Sequence, residues 1–162
     1  MRKLALILGI FLCSNVFGDI PSQKDALNKQ YIAAKNKYTQ AVRSNDSSLF
    51  AEAVEDYKSL GQAIIAANKP LTQWMGTYFS DATQGFHKND IDMKSALKDI
   101  QNANKNITLF SSPKGMTPEA IRSVDAFITL LNKSITVHDA ACQKINMAHT
   151  TSTGQQTKAR IN

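Results

Sequence analysis

Between Thr117 and Met147 the chain carries Ile121, Val124, Ile128, Leu131, Ile135, His138, Cys142, Ile145 and, just beyond, His149, spaced at alternating steps of three and four. That spacing is the seam of a packed helix. Leu130, Val137, Ala141 and Ala148 form a second apolar row, and Arg122, Asp125, Asn132, Lys133, Asp139 and Lys144 gather on the remaining arc. The apolar arc covers roughly half the circumference, more than a helix touching one neighbour needs. A chain holding such a helix must supply several others to cover it. The helix start is marked by Thr117 as N-cap, Pro118 at the first helical position and Glu119 near the positive end of the dipole.

Upstream segments repeat the pattern. Leu27, Tyr31, Ala34, Tyr38 and Ala41 predict a first helix ending at the Ser44, Asn45, Asp46 turn. Phe50, Ala53, Tyr57, Leu60, Ile64 and Ala67 predict a second, capped by Asp46 or Ser47 and stopping before Pro70. A third is expected from Pro70 onward through Leu71, Trp74, Met75, Tyr78, Phe79, Ala82 and Phe86, and a fourth through Met93, Leu97, Ile100, Asn104 and Ile107. Ser111 to Gly115 reads as the loop before the long helix. The period-two alternation of a half-buried strand is missing, so the expected class is all-α, a single-domain bundle of four to five helices.

Thr39 to Asp46 can be laid over Thr83 to Asp90, and Ala53 to Asp56 over Ala96 to Asp99 with one deletion. This arrangement would make two αα-hairpins closed by the long C-terminal helix. The stretch Glu52 to Tyr57 resembles the second helix of a tetratricopeptide-type repeat, which would imply stacked helix pairs. The Gly and aromatic positions of the preceding helix do not line up, and the resemblance does not place the chain in that family. Convergent patterning around a shared Asn-Asp turn accounts for the same residues.

The first residues read differently. Arg2 and Lys3, the apolar run Leu4 to Leu12, and the small-residue end Val16, Phe17, Gly18 have the order of a secretory signal peptide. A lipoprotein anchor at Cys13 would need a small residue before it, and Leu12 stands there. The expected organisation is a signal peptide over 1–18, a helical domain over 19–148 and a disordered tail over 149–162. Cleavage after residue 18 of 162 leaves 144 residues, enough for one core, and takes the formal charge from +6 to +4 by removing Arg2 and Lys3. No dense basic patch remains, so nucleic acid is not an expected partner. Cys142 is then the single mature cysteine, which excludes an intramolecular disulfide.

His138, Cys142 and His149 stand along nearly one helix face and have the ligand chemistry of a zinc or copper site. They also continue the apolar seam, so a packing role competes with the metal role. No HExxH, paired CxxC, CxxCH or Gly-rich phosphate loop is present, and no resident cofactor is expected. Cys142 as a nucleophile would need a base and a lowered thiol pKa, with His138 one turn away the nearby candidate. Trp74, Tyr78 and Phe79 have the composition of a recognition surface, against an alternative role as core. Glu52, Glu55, Asp56, Asp90 and Asp92 are read as solvated charges.

These readings predict an exported, non-enzymatic helical protein acting in a bacterial periplasm by protein contacts. Its expected partners are an envelope protein or a second copy, with homodimer formation and peripheral membrane association left open. The alternatives are an accessory component of an envelope secretion or pilus system, and a metal or small-ligand binding bundle.

Overall fold

The computed structural model describes residues 20–81 and 88–159. The expected signal peptide, and Ala82 and Phe86 of the expected third helix, lie outside the described residues, as do Thr83 to His87 of the second copy of the internal repeat. Four helices make up the described chain: α1 (Lys24–Ser44), α2 (Ser47–Asp81), α3 (Lys88–Thr108) and α4 (Pro118–Ala159). The expected all-α bundle is the observed one.

Local chemistry sets the boundaries. Asn45 ends α1 in the left-handed region at φ 52°, and the Asp46 N–H returns to the Ala41 carbonyl at 2.9 Å. Asp46 Oδ1 then accepts the Leu49 N–H at 3.0 Å, so one tight turn closes one helix and caps the next. Thr117 Oγ1 accepts the Ala120 N–H at 3.1 Å, as its N-cap role predicts.

Two boundaries differ from the sequence reading. The second and third expected helices are one: Pro70 lies inside α2. A proline there removes the bond to the Ala66 carbonyl and costs about 3 kcal/mol in a helix interior. Both Ala66 and Pro70 are exposed, so that carbonyl faces water. On the opposite face Leu60, Ile64, Leu71 and Met75 are all fully buried. Fully burying side chains of this size is worth about 1.5–3 kcal/mol each, enough to hold both halves in one register. The two hairpins, α1–α2 and α2–α3, therefore share a helix. The second difference is the tail: α4 runs to Ala159 where disorder was expected from 149. Extending an existing helix needs no new nucleus, and Gln155, Gln156, Lys158 and Ala159 are good helix formers.

Gly61 faces Phe127 and Leu131, and Asn68 faces His138, so α2 and α4 run parallel. The other two helices are antiparallel to this pair and staggered along it. α1 packs on α2 and α4, with Tyr38 Oη donating to Asp125 at 2.9 Å. α3 packs on the same two helices toward their other ends, with Tyr78 Oη donating to Asp90 at 2.7 Å. Two apolar cores result. The first joins Leu27, Tyr38, Phe50, Tyr57, Leu60, Ile64, Val124, Phe127, Leu131 and Ile135; the second joins Leu71, Met75, Ala96, Ile100, Ala141, Cys142 and Ile145. Asp90, expected to be solvated, is buried under Tyr78.

Two details of the first core have measurable consequences. Tyr57 is fully buried and its Oη finds no hydrogen-bond partner among the described residues. Removing an unpaired buried hydroxyl removes its desolvation cost. Tyr57→Phe is expected to raise the unfolding free energy by about 1 kcal/mol, while Tyr38→Phe, which loses the Asp125 bond, lowers it by about 1–2 kcal/mol; urea melts check both. At Gly61, an added Cβ would stand 2.8 Å from Ile107 Cγ2, whereas at Gly76 it meets nothing within 4 Å. Gly61→Ala is expected to destabilise by about 1 kcal/mol despite its helix preference, and Gly76→Ala to stabilise by about 0.5–1 kcal/mol, in the same melts.

Candidate functional site

Between the two cores lies a polar layer that the seam pattern foreshadows at His138 and Asn104. His138 and Asn68 are both buried, and His138 Nδ1 is 3.0 Å from Asn68 Oδ1. On the other side of the ring the Gln23 backbone N–H points at His138 Nε2 at 3.1 Å. A backbone amide can only donate, so Nε2 is the bare nitrogen and Nδ1 carries the proton. The Nδ1–H then donates to Asn68 Oδ1, and Asn68 Nδ2 donates to Asn104 Oδ1 at 2.8 Å. One directed chain of hydrogen bonds thus runs from the start of α1 through α4 and α2 to α3. Burial holds the His138 pKa below its ordinary value of 6.5, against the opposing pull of Asp139.

The residues before α1 lie against the same stretch of α4. Asn146 clasps Ile20 from both sides: its Oδ1 accepts the Ile20 N–H at 2.7 Å and its Nδ2 donates to the Ile20 carbonyl at 3.1 Å. Ser22 Oγ donates to Asp139 Oδ1 at 2.8 Å, and Lys24 Nζ pairs with Asp139 Oδ2 at 3.0 Å. These bonds from Ser22 and Lys24 hold the Asp139 carboxyl below its usual range.

Of the three candidate metal ligands, the structure brings two together. Cys142 Sγ lies 3.7 Å from His138 Nε2 with both residues buried, and the side chain of His149 is outside the described part. The His138 lone pair is already engaged by Gln23, so a metal at this nitrogen would have to displace the chain start. Among the described residues no group of three or more His, Cys, Asp or Glu side chains converges. Burial pushes the Cys142 thiol up to about 11, the opposite of what an activated nucleophile needs.

The aromatic candidates occupy the far part of α2. Trp74 and Tyr78 stack with centroids 5.3 Å apart at 15°, and Tyr78 meets Phe79 edge-on at 5.4 Å. Trp74 and Phe79 pack on the second core with their outer faces half-exposed, and Lys94 Nζ stands 5.4 Å over the Phe79 ring. Tyr78 is fixed by its bond to Asp90. A third feature was not expected: an open groove of about 700 Å³ between α3 and α4, with Ala103, Leu130 and Val137 among its apolar lining and Asp99, Lys105 and Lys133 among its charged lining.

No protein-family model, curated protein or solved structure matches this chain. No helix among the described residues is long and apolar enough to cross a membrane.

The hydrogen-bond chain predicts its own sensitivity. Asn68→Ala leaves the His138 Nδ1–H and the Asn104 amide without their buried partner. An expected loss of about 2 kcal/mol in unfolding free energy, well above that of an exposed Asn36→Ala control, can be read by denaturant titration.

Proposed function

We propose that this chain is an exported helical bundle that works in the bacterial envelope by binding another protein through the Trp74, Tyr78 and Phe79 cluster. The observation that carries this reading is the state of those three rings. They form a pre-ordered set, Trp74 stacked on Tyr78 and Phe79 edge-on to it, partly buried with some surface left open, at the part of α2 covered by α3. Rings held by Asp90 and Lys94 lose little freedom on binding, and Trp and Tyr are the side chains that contribute most at protein contacts. Ile91, the residue after Asp90, is a further exposed apolar side chain on α3, 60% exposed.

The same reading is supported by the condition of the groups that would serve catalysis. His138 has both ring nitrogens engaged, and Cys142 is a buried thiol held in its neutral form. Export rests on the order of basic, apolar and small residues over 1–18.

A photoreactive residue placed at exposed Thr77, in the cells that produce the protein, tests the proposal. The expected result is one dominant cross-linked envelope protein, on a chain lacking residues 1–18, that is lost when Trp74→Ala is added. The same probe at exposed Lys35 should not capture it. Identical captures from both positions, or no capture from Thr77, would overturn the proposal.

A further inference from the structure

The segment Ile20 to Gln23 is attached to α4 at three places that bracket one cysteine. His138, Cys142 and Asn146 stand at i, i+4 and i+8, one above the other on a helix face. Gln23 is bound at the first and Ile20 at the third, so the strap between them crosses Cys142. Asp139, beside this row, holds Ser22 and Lys24. Ile20 packs on the second core, the cluster to which Cys142 belongs. The strap itself contributes one apolar side chain and is otherwise held by hydrogen bonds.

We propose that Ile20–Gln23 is an acid-loosened strap: protonation of His138 releases its Gln23 end from α4, and the loosened strap lets solvent reach Cys142 at the edge of the second core. The reason is geometric. Nε2 is the acceptor for the Gln23 N–H, and a protonated ring presents N–H at both nitrogens. Two donors would then face each other at 3.1 Å, while the Nδ1–H remains satisfied by Asn68. The ring stays anchored to α2 and the strap loses its Gln23 contact, leaving it held at Asn146 and Asp139.

The groups around the ring set the pH window. On α4 these are Asp139, which favours the charged ring, and the neutral Cys142 thiol; on α1 it is Lys24, which is paired with Asp139. From α2 the ring meets the uncharged Asn68, which connects to the uncharged Asn104 of α3. Burial outweighs Asp139, and the strapped state holds the His138 pKa below 6.5. The opened state, with the ring wet, binds the proton more readily. Acid therefore favours opening: the strap is fully closed above the ordinary histidine range and loosens as pH falls below 6.5 toward the depressed value. Asp139 is held below its usual carboxyl range, so the ion pair with Lys24 persists through this window and the first bond lost is the one to Gln23.

The test is the accessibility of Cys142 to 4,4′-dithiodipyridine, which reacts with thiols at mildly acid pH, on the full-length chain carrying Cys13→Ser. From pH 7 to pH 5 the labelling rate, normalised to that of the urea-unfolded chain, is expected to rise at least about fivefold while far-UV circular dichroism is unchanged. His138→Gln, which keeps a polar side chain but cannot titrate, should flatten the profile. Asn146→Ala, which removes the clasp on Ile20, should label faster at pH 7 and keep its acid response. A flat wild-type profile, an acid response that persists in His138→Gln, or acceleration accompanied by loss of helical signal would each overturn the proposal.

Discussion

The chain of hydrogen bonds from Gln23 through His138 and Asn68 to Asn104 constrains how far the helices can slide. Seams built from Ile, Leu, Val and Ala at heptad-like spacing fit nearly as well after a shift of one repeat. A buried imidazole between two amides does not, because any other alignment strands a donor or acceptor away from water. The layer also separates the two apolar cores, so each side packs against a boundary whose register is already set. It has a directional sense: starting from an amide that can only donate, every proton along it is assigned, including the histidine tautomer.

Much of the fold could be read from residue spacing, and the exceptions share a cause. The α4 seam is buried at Val124, Ile128, Leu131, Ile135, His138, Cys142 and Ile145 as its periodicity predicts. The caps at Asp46 and Thr117 were equally legible because they depend on neighbours in sequence. Pro70 carries a local stop signal that the row Ile64, Leu71 and Met75 outweighs, continuing past it on the opposite face. Phe127 was missed as core because it stands off the main seam, where it stacks on Phe110 with centroids 3.7 Å apart. Asn68 and Asp90 carry no local signal of burial, since their partners lie on other helices, whereas Asn104 stands in the seam of its own helix between Ile100 and Ile107. The visible hints of the polar layer are His138 and Asn104, polar side chains where the two seams ask for aliphatic ones.

The candidate sites divide in the same way. Placing His138 and Cys142 side by side follows from one helix turn, but the strap that engages the imidazole comes from more than a hundred positions away, at a sequence separation of 115. Periodicity cannot report such a contact. The aromatic group on α2 was visible in composition, while its rigidity depends on Asp90 and Lys94 of α3. In both places the candidate residues were legible and the groups that decide their chemistry were not.

The staggered placement of α1 and α3 on the parallel pair α2 and α4 has a mechanical consequence. α1 and α3 do not pack on each other; α1 closes the first core and α3 the second, with Ile107 near the end of α3 reaching into the first. The two long helices run through both halves without a joint, since even Pro70 leaves α2 unbroken. The short helices act as splints on one continuous pair: peeling α1 from its flank opens the first core and leaves α3 seated on the second.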